Sequence, residues 1–79
     1  MDETLIYARL TEILRAVFDD EAIVASPNLS ARDVDGWDSL AHIRLIATVE
    51  KAFKIRLSAS QVGKLANVGD LVDVIKSRV

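Results

Sequence analysis

The chain has 79 residues, 51% of them apolar, carries a net charge of −2 and contains no cysteine. That is material for one small domain, which would bury only about 60% of its unfolded surface, and it excludes a disulfide framework, a thiolate metal site and a cysteine nucleophile. The base content is too low for a generic nucleic-acid binder, no run approaches the ~18 apolar residues of a membrane span, and the acidic start Met1-Asp2-Glu3 is unlike a targeting peptide; a cytoplasmic protein engaging neither nucleic acid nor membrane is expected.

From Glu3 to Phe18, apolar residues fall at Ile6, Leu10, Ile13, Leu14 and Val17, the spacing of a helix with one buried stripe. Asp19-Asp20-Glu21 follows, where the helix dipole disfavours anions, and reads as the helix stop or the opening of a loop. Residues 22–38 are irregular: Pro27 blocks helix, and Ser26, Asn28, Ser30 and Gly36 are turn formers. Such a connection is long for a small helical domain, and long ordered loops are often functional. Ile23, Val24, Leu29 and Val34 are the residues expected to pin it to the core.

A second helix is expected from Ser39 to Phe53, capped by Asp38, with a core stripe of Leu40 or Ile43, Ile46, Val49 or Glu50, and Phe53. Of its apolar residues, Ile43 and Ile46 read as ordinary core. The reciprocal capping box is missing, because Ala41 stands where Glu or Gln would be needed. Residues Ser58 to Leu65 read as a short third helix capped by Ser58 and weakened by Gly63, and a fourth runs from about Val68 to Ser77, burying Leu71, Val72 and Ile75. No stretch alternates with period two. The expected fold is all-α, a small four-helix bundle with a long first loop and a short third helix.

Charge is segregated along the chain. Residues 1–38 hold nine acids and three bases, whereas residues 39–64 hold five bases (Arg44, Lys51, Lys54, Arg56, Lys64) and one acid, Glu50.

The run Gly36-Trp37-Asp38-Ser39-Leu40 places a serine where loop becomes helix, exposed and beside backbone amides that favour a bound phosphate. On this run, on the apolar pattern Leu40, Ile43, Leu45, Ile46, Val49, Phe53 and on the short third helix after Ile55 and Leu57, the whole chain resembles the acyl and peptidyl carrier proteins. In that family the serine of an Asp-Ser-Leu motif takes 4′-phosphopantetheine from coenzyme A.

The resemblance implies a free-standing acyl or aminoacyl carrier, residues 1–79 forming one carrier domain, monomeric and not an enzyme. Ser39 would carry the covalent arm, whose thiol holds the cargo as a thioester. The implied partners are a phosphopantetheinyl transferase, an acyl- or aminoacyl-loading ligase or transferase, and downstream biosynthetic enzymes. Asp38 has two compatible readings, a helix cap and a residue that helps the transferase engage the serine with its magnesium ion. Trp37 either fixes the loop on the core or meets the arm or a partner. His42 lacks the acid or nucleophile that catalysis would need and reads as a surface residue beside the arm. Leu40, Ile43, Ile46 and Ala47 lie near the attachment point, where family members contact partners or cargo.

Ala41, Arg44, Lys51, Lys54 and Arg56 depart from the pattern, since many fatty-acid carriers are acidic or polar at these positions. They read either as a solvated helix face or as altered partner choice, and the second implies a specialised pathway rather than bulk fatty-acid synthesis. The alternative class is an unmodified helical adaptor in which Ser39 only opens a helix. An enzyme is a third and weak reading, because there is neither a partnered histidine nor a phosphate-binding glycine loop.

Overall fold

A computed structural model describes all residues, 1–79. Four helices follow one another: α1 (Glu3–Phe18), α2 (Ser39–Phe53), α3 (Ala59–Gly63) and α4 (Val68–Arg78), with a single 3₁₀ turn at Ala31–Asp33 inside the long first loop. There is no strand, as the absence of alternation predicts. None of the helices is long and apolar enough to cross a membrane.

Each helix is bounded by identifiable chemistry. The carboxylate of Asp2 accepts from the Thr4 amide to open α1, Asp38 accepts from Ala41 to open α2, and Asn67 accepts from Asp70 to open α4. Both α1 and α2 end in a left-handed residue that is not glycine, Asp19 at φ 51° and Lys54 at φ 57°. Asp19 thus does stop α1.

α1 packs on α2 and on α4. The core draws Ile6, Leu10 and Leu14 from α1, Leu45, Ile46, Val49 and Phe53 from α2, and Val68, Leu71, Val72 and Ile75 from α4. Burying side chains of this size is worth about 1.5–3 kcal/mol each, before the entropy of ordering the chain is subtracted.

Two expectations about burial and one about a helix boundary are corrected. Ile43 is not core: it is 62% exposed, and Leu40 beside it 68%. The buried stripe of α2 is centred on Leu45 and Val49, with Ala41 also buried, so the helix is turned relative to a stripe through position 40 or 43. Val24 is exposed too, and Ala25 takes its place under the loop while Ile23 and Val34 are buried as expected. Finally, α3 ends at Gly63 rather than Leu65 and contributes no buried residue. Its five residues are held by a capping box between Ser58 and Gln61, a pairing that Gln61 three positions after Ser58 signals in the sequence.

The first loop is stitched down at several points. The Ala25 amide donates to Thr11 Oγ1 at 2.9 Å, and Arg15 Nε donates to the Ile23 carbonyl at 2.8 Å. Further on, the Val68 amide donates to Leu29 and the Gly69 amide to Pro27, at 2.8 and 3.0 Å. Loop and α4 therefore meet backbone to backbone. At Gly69 the approach is so close that a Cβ would lie 3.0 Å from the Pro27 carbonyl oxygen.

Candidate functional site

Gly36, Trp37 and Asp38 deliver the chain to α2. Gly36 has φ +84°, a conformation that glycine adopts without penalty. The Asp38 amide donates to the Gly36 carbonyl at 2.9 Å, closing a three-residue turn with Trp37 at its apex. The indole is thereby aimed back at the bundle, where it lies 5.2 Å from the Phe18 ring, centroid to centroid. Its Nε1–H donates to His42 Nδ1 at 3.1 Å. An indole nitrogen only donates, so Nδ1 is the acceptor and the ring proton of a neutral His42 sits on Nε2, 3.5 Å from the Val62 carbonyl.

Ser39 is the first residue of α2, exposed, and its hydroxyl has no hydrogen-bond partner in the protein. Asp38 spends one carboxylate oxygen on the Ala41 amide at 2.8 Å, and its carbonyl accepts from His42 at 2.9 Å. The amides of Ser39 and Leu40 are left with no protein acceptor, aimed out at the positive end of the helix dipole. A phosphate ester on Ser39 Oγ would meet two free donors there.

A surface groove begins at Ser39. Trp37, Asp38, Ser39, His42 and Ile43 line it from the loop and α2, and Ala31, Val62, Gly63 and Leu65 complete it. Trp37 and His42 also border a narrow slot of about 50 Å3 that leads inward to Leu45, Val68 and Leu71. The groove mixes apolar side chains with amide and carboxylate groups, which suits a flexible chain of methylenes and amides. Val62, Gly63 and Leu65 escape sequence reasoning because they reach the site only through folding; the one local hint is Gly63, a poor helix former in an already short helix.

The remaining candidates fall into two groups. Trp37, Asp38, Ser39, His42 and Ile43 come together around the groove, whereas Leu40, Arg44, Ala47 and Lys51 lie on the outer face of α2, all exposed. Glu50 does not extend that face as a free acid: it is half-buried, and its Oε2 accepts from the Leu57 amide at 2.8 Å. Away from the groove, the Tyr7 phenol of α1 is held above its ordinary protonation range chiefly by burial and then by Glu3 and Asp73. No set of three or more His, Cys, Asp or Glu side chains is arranged to hold a metal.

The family described as phosphopantetheine attachment site matches residues 8–75. The solution structure of a holo acyl carrier protein from Geobacter metallireducens is similar to this chain with a TM-score of 0.86 and 44% identity, over 91% of this chain and 83% of that one. With its four helices in that shared fold and all but its ends within the family match, the chain belongs to the acyl carrier proteins, non-enzymatic carriers whose prosthetic group is covalently attached phosphopantetheine.

Proposed function

We propose that Ser39 is the attachment point and that the chain carries acyl or aminoacyl cargo in a specialised biosynthetic pathway. The observation that carries this reading is the state of the serine. Its hydroxyl is exposed, opens a fifteen-residue helix, has no structural hydrogen bond to lose, and stands beside two unclaimed amides at the head of an open groove. A residue serving only the fold would be expected to cap; here Asp38 caps and Ser39 is spare.

In this reading the bound arm supplies the thiol that the chain lacks, holding cargo as a thioester. The protein's own residues hold and orient. The Ser39 and Leu40 amides and the helix dipole stabilise the phosphodiester charge. Asp38 fixes the first turn of α2, and its carboxylate stays exposed for a phosphopantetheinyl transferase and its magnesium ion. Trp37 and His42 form one wall of the groove, joined by the indole N–H that donates to His42 Nδ1. Leu40, Ile43, Arg44, Ala47 and Lys51 form the contact surface for the loading ligase or transferase and for downstream enzymes. Residues 1–79 act as one carrier domain and as a monomer. The basic outer face of α2 supports a dedicated pathway over general fatty-acid synthesis, because surface charge selects partners.

The test is intact mass after incubation with coenzyme A, magnesium and a broad-specificity phosphopantetheinyl transferase. Wild type gains one phosphopantetheine, and Ser39→Ala gains none while keeping its helical circular dichroism and losing less than about 0.5 kcal/mol of stability. No gain by a folded wild type not already modified, with several transferases, would transfer support to the unmodified adaptor.

A further inference from the structure

The chain crosses from the first loop into α2 over Asp35 to Leu40, and within that stretch Trp37 is the only residue that is not exposed. The order of the segment that holds Ser39 therefore rests on one side chain. Backbone bonds do little for it. The Trp37 amide reaches the Val34 carbonyl at a long 3.3 Å, the Asp38 amide closes a three-residue turn on Gly36, and the amides of Ser39 and Leu40 bond to nothing in the protein. Gly36 adds no restraint of its own, since a glycine at φ +84° is free to leave that conformation.

Trp37 is held from two sides. Phe18, at the end of α1, meets the indole at 5.2 Å between centroids with the ring planes tilted by 36°, a packing contact that several tilts would satisfy. His42, one turn into α2, accepts the indole N–H on Nδ1 at 3.1 Å, the one directional bond that this side chain makes. No other charged group competes for the imidazole. Of the residues lining the two cavities it borders, Asp38 is the only other ionisable one, and its carboxylate is engaged by the Ala41 amide. His42 Nε2 faces the Val62 carbonyl at 3.5 Å, the outer limit of a hydrogen bond, so α3 gives the ring a second and looser hold. Loop, α2 and α3 meet on this one ring.

We propose that His42 is a positioning residue for the serine: by accepting the Trp37 N–H it fixes the indole, and through it the turn from Gly36 to Ser39, in the conformation that presents the Ser39 hydroxyl and the two free amides together. The consequence for arm transfer rests on the carrier reading above; the ordering of the turn does not. The Ser39 hydroxyl has no hydrogen bond of its own to hold it, so its placement depends on a backbone fixed elsewhere. Reactive geometry tolerates little displacement, and a loosened turn lowers the turnover of transfer more than the affinity of the chain for the transferase. The role needs an acceptor at Nδ1, whereas a side chain that only filled the groove wall would serve equally well as a leucine.

The test compares the full-length, unmodified, ¹⁵N-labelled wild type with H42L, H42N and W37F. The indole N–H and the Asp38 amide should exchange with solvent about threefold to tenfold faster in H42L than in wild type, with the helical circular dichroism kept. H42N, whose amide oxygen can accept where Nδ1 does, should recover most of the difference. In the neutral wild-type ring the nitrogen shifts should show Nδ1 bare and Nε2 protonated. With coenzyme A, magnesium and a broad-specificity phosphopantetheinyl transferase, turnover should fall about threefold to tenfold in H42L and in W37F, with KM for the chain changed less than about twofold, and no further in the double variant, because both changes remove one bond. W37F keeps a ring against Phe18, so it carries the comparison if H42L loses its helical spectrum. Unchanged exchange in H42L, no recovery in H42N, the opposite tautomer, or losses that multiply in the double variant would overturn the proposal. The two readings separate cleanly: a wild type that gains no arm removes the carrier reading and leaves exchange in the unmodified chain to decide the positioning role, whereas an arm gained with unchanged exchange in H42L removes the positioning role alone.

Discussion

At position 38 the carboxylate that caps α2 is also proposed to serve the transferase, and substitution can separate the two. Asp38→Ala removes the acceptor for the Ala41 amide and should cost about 1 kcal/mol in urea denaturation. Asp38→Asn keeps a good capping oxygen and should stay within about 0.5 kcal/mol of wild type, yet slow arm transfer because the negative charge has gone. Equal transfer rates for Asn and wild type would reduce Asp38 to a cap. The pair Asp38-Ser39 was legible in the sequence, since the cap and the spare hydroxyl are adjacent and each has a local chemical signature. The bond between Trp37 and His42 was not. Five residues apart across a helix start, they carry no periodic signal, and only the tight turn that lifts the indole brings donor to acceptor. Glu50 misled in the opposite sense: it counts as surface charge until the Leu57 amide is seen to claim it.

Among the elements, α1, α2 and α4 were readable to within a residue or two because each has a capping side chain and a buried stripe. The phase of α2 was the weak point. Apolar residues at 40, 43, 45, 46 and 49 leave two stripes possible, and packing against α1 selects the one through Leu45 and Val49. The residues left outside, Leu40 and Ile43, are thereby freed for contact. The long loop was legible as a loop pinned to the core by Ile23 and Val34, but its bonds to the backbone of α4 were not, because backbone pairing leaves no trace in side-chain pattern. Gly69 tests that anchoring. Gly69→Ala gains about 1 kcal/mol of helix propensity but crowds the Pro27 carbonyl, where overpacking costs about 1–3 kcal/mol. A net loss near 1 kcal/mol in denaturation is expected, with amide shifts at residues 27–29; a gain in stability would show that the loop moves aside freely.

For the molecule as a whole, the core has no self-sufficient half. α1 and α2 enclose one side of it, and α4 closes the other with Val68, Leu71, Val72 and Ile75. Ending the chain after Ala66 should therefore abolish cooperative thermal melting rather than lower its midpoint, as followed by circular dichroism. A cooperative transition in the shortened chain would mean that α1, α2 and the loop pack without α4. The Leu29–Val68 and Pro27–Gly69 bonds tie the segment preceding Ser39 to residues forty positions further on. On the ribosome, the Pro27 and Leu29 anchors of that segment can form only after α4 has emerged from the exit tunnel, whereas the turn at Gly36 closes locally. A nascent chain without α4 therefore lacks the two backbone bonds that hold residues 27–29 in the finished fold.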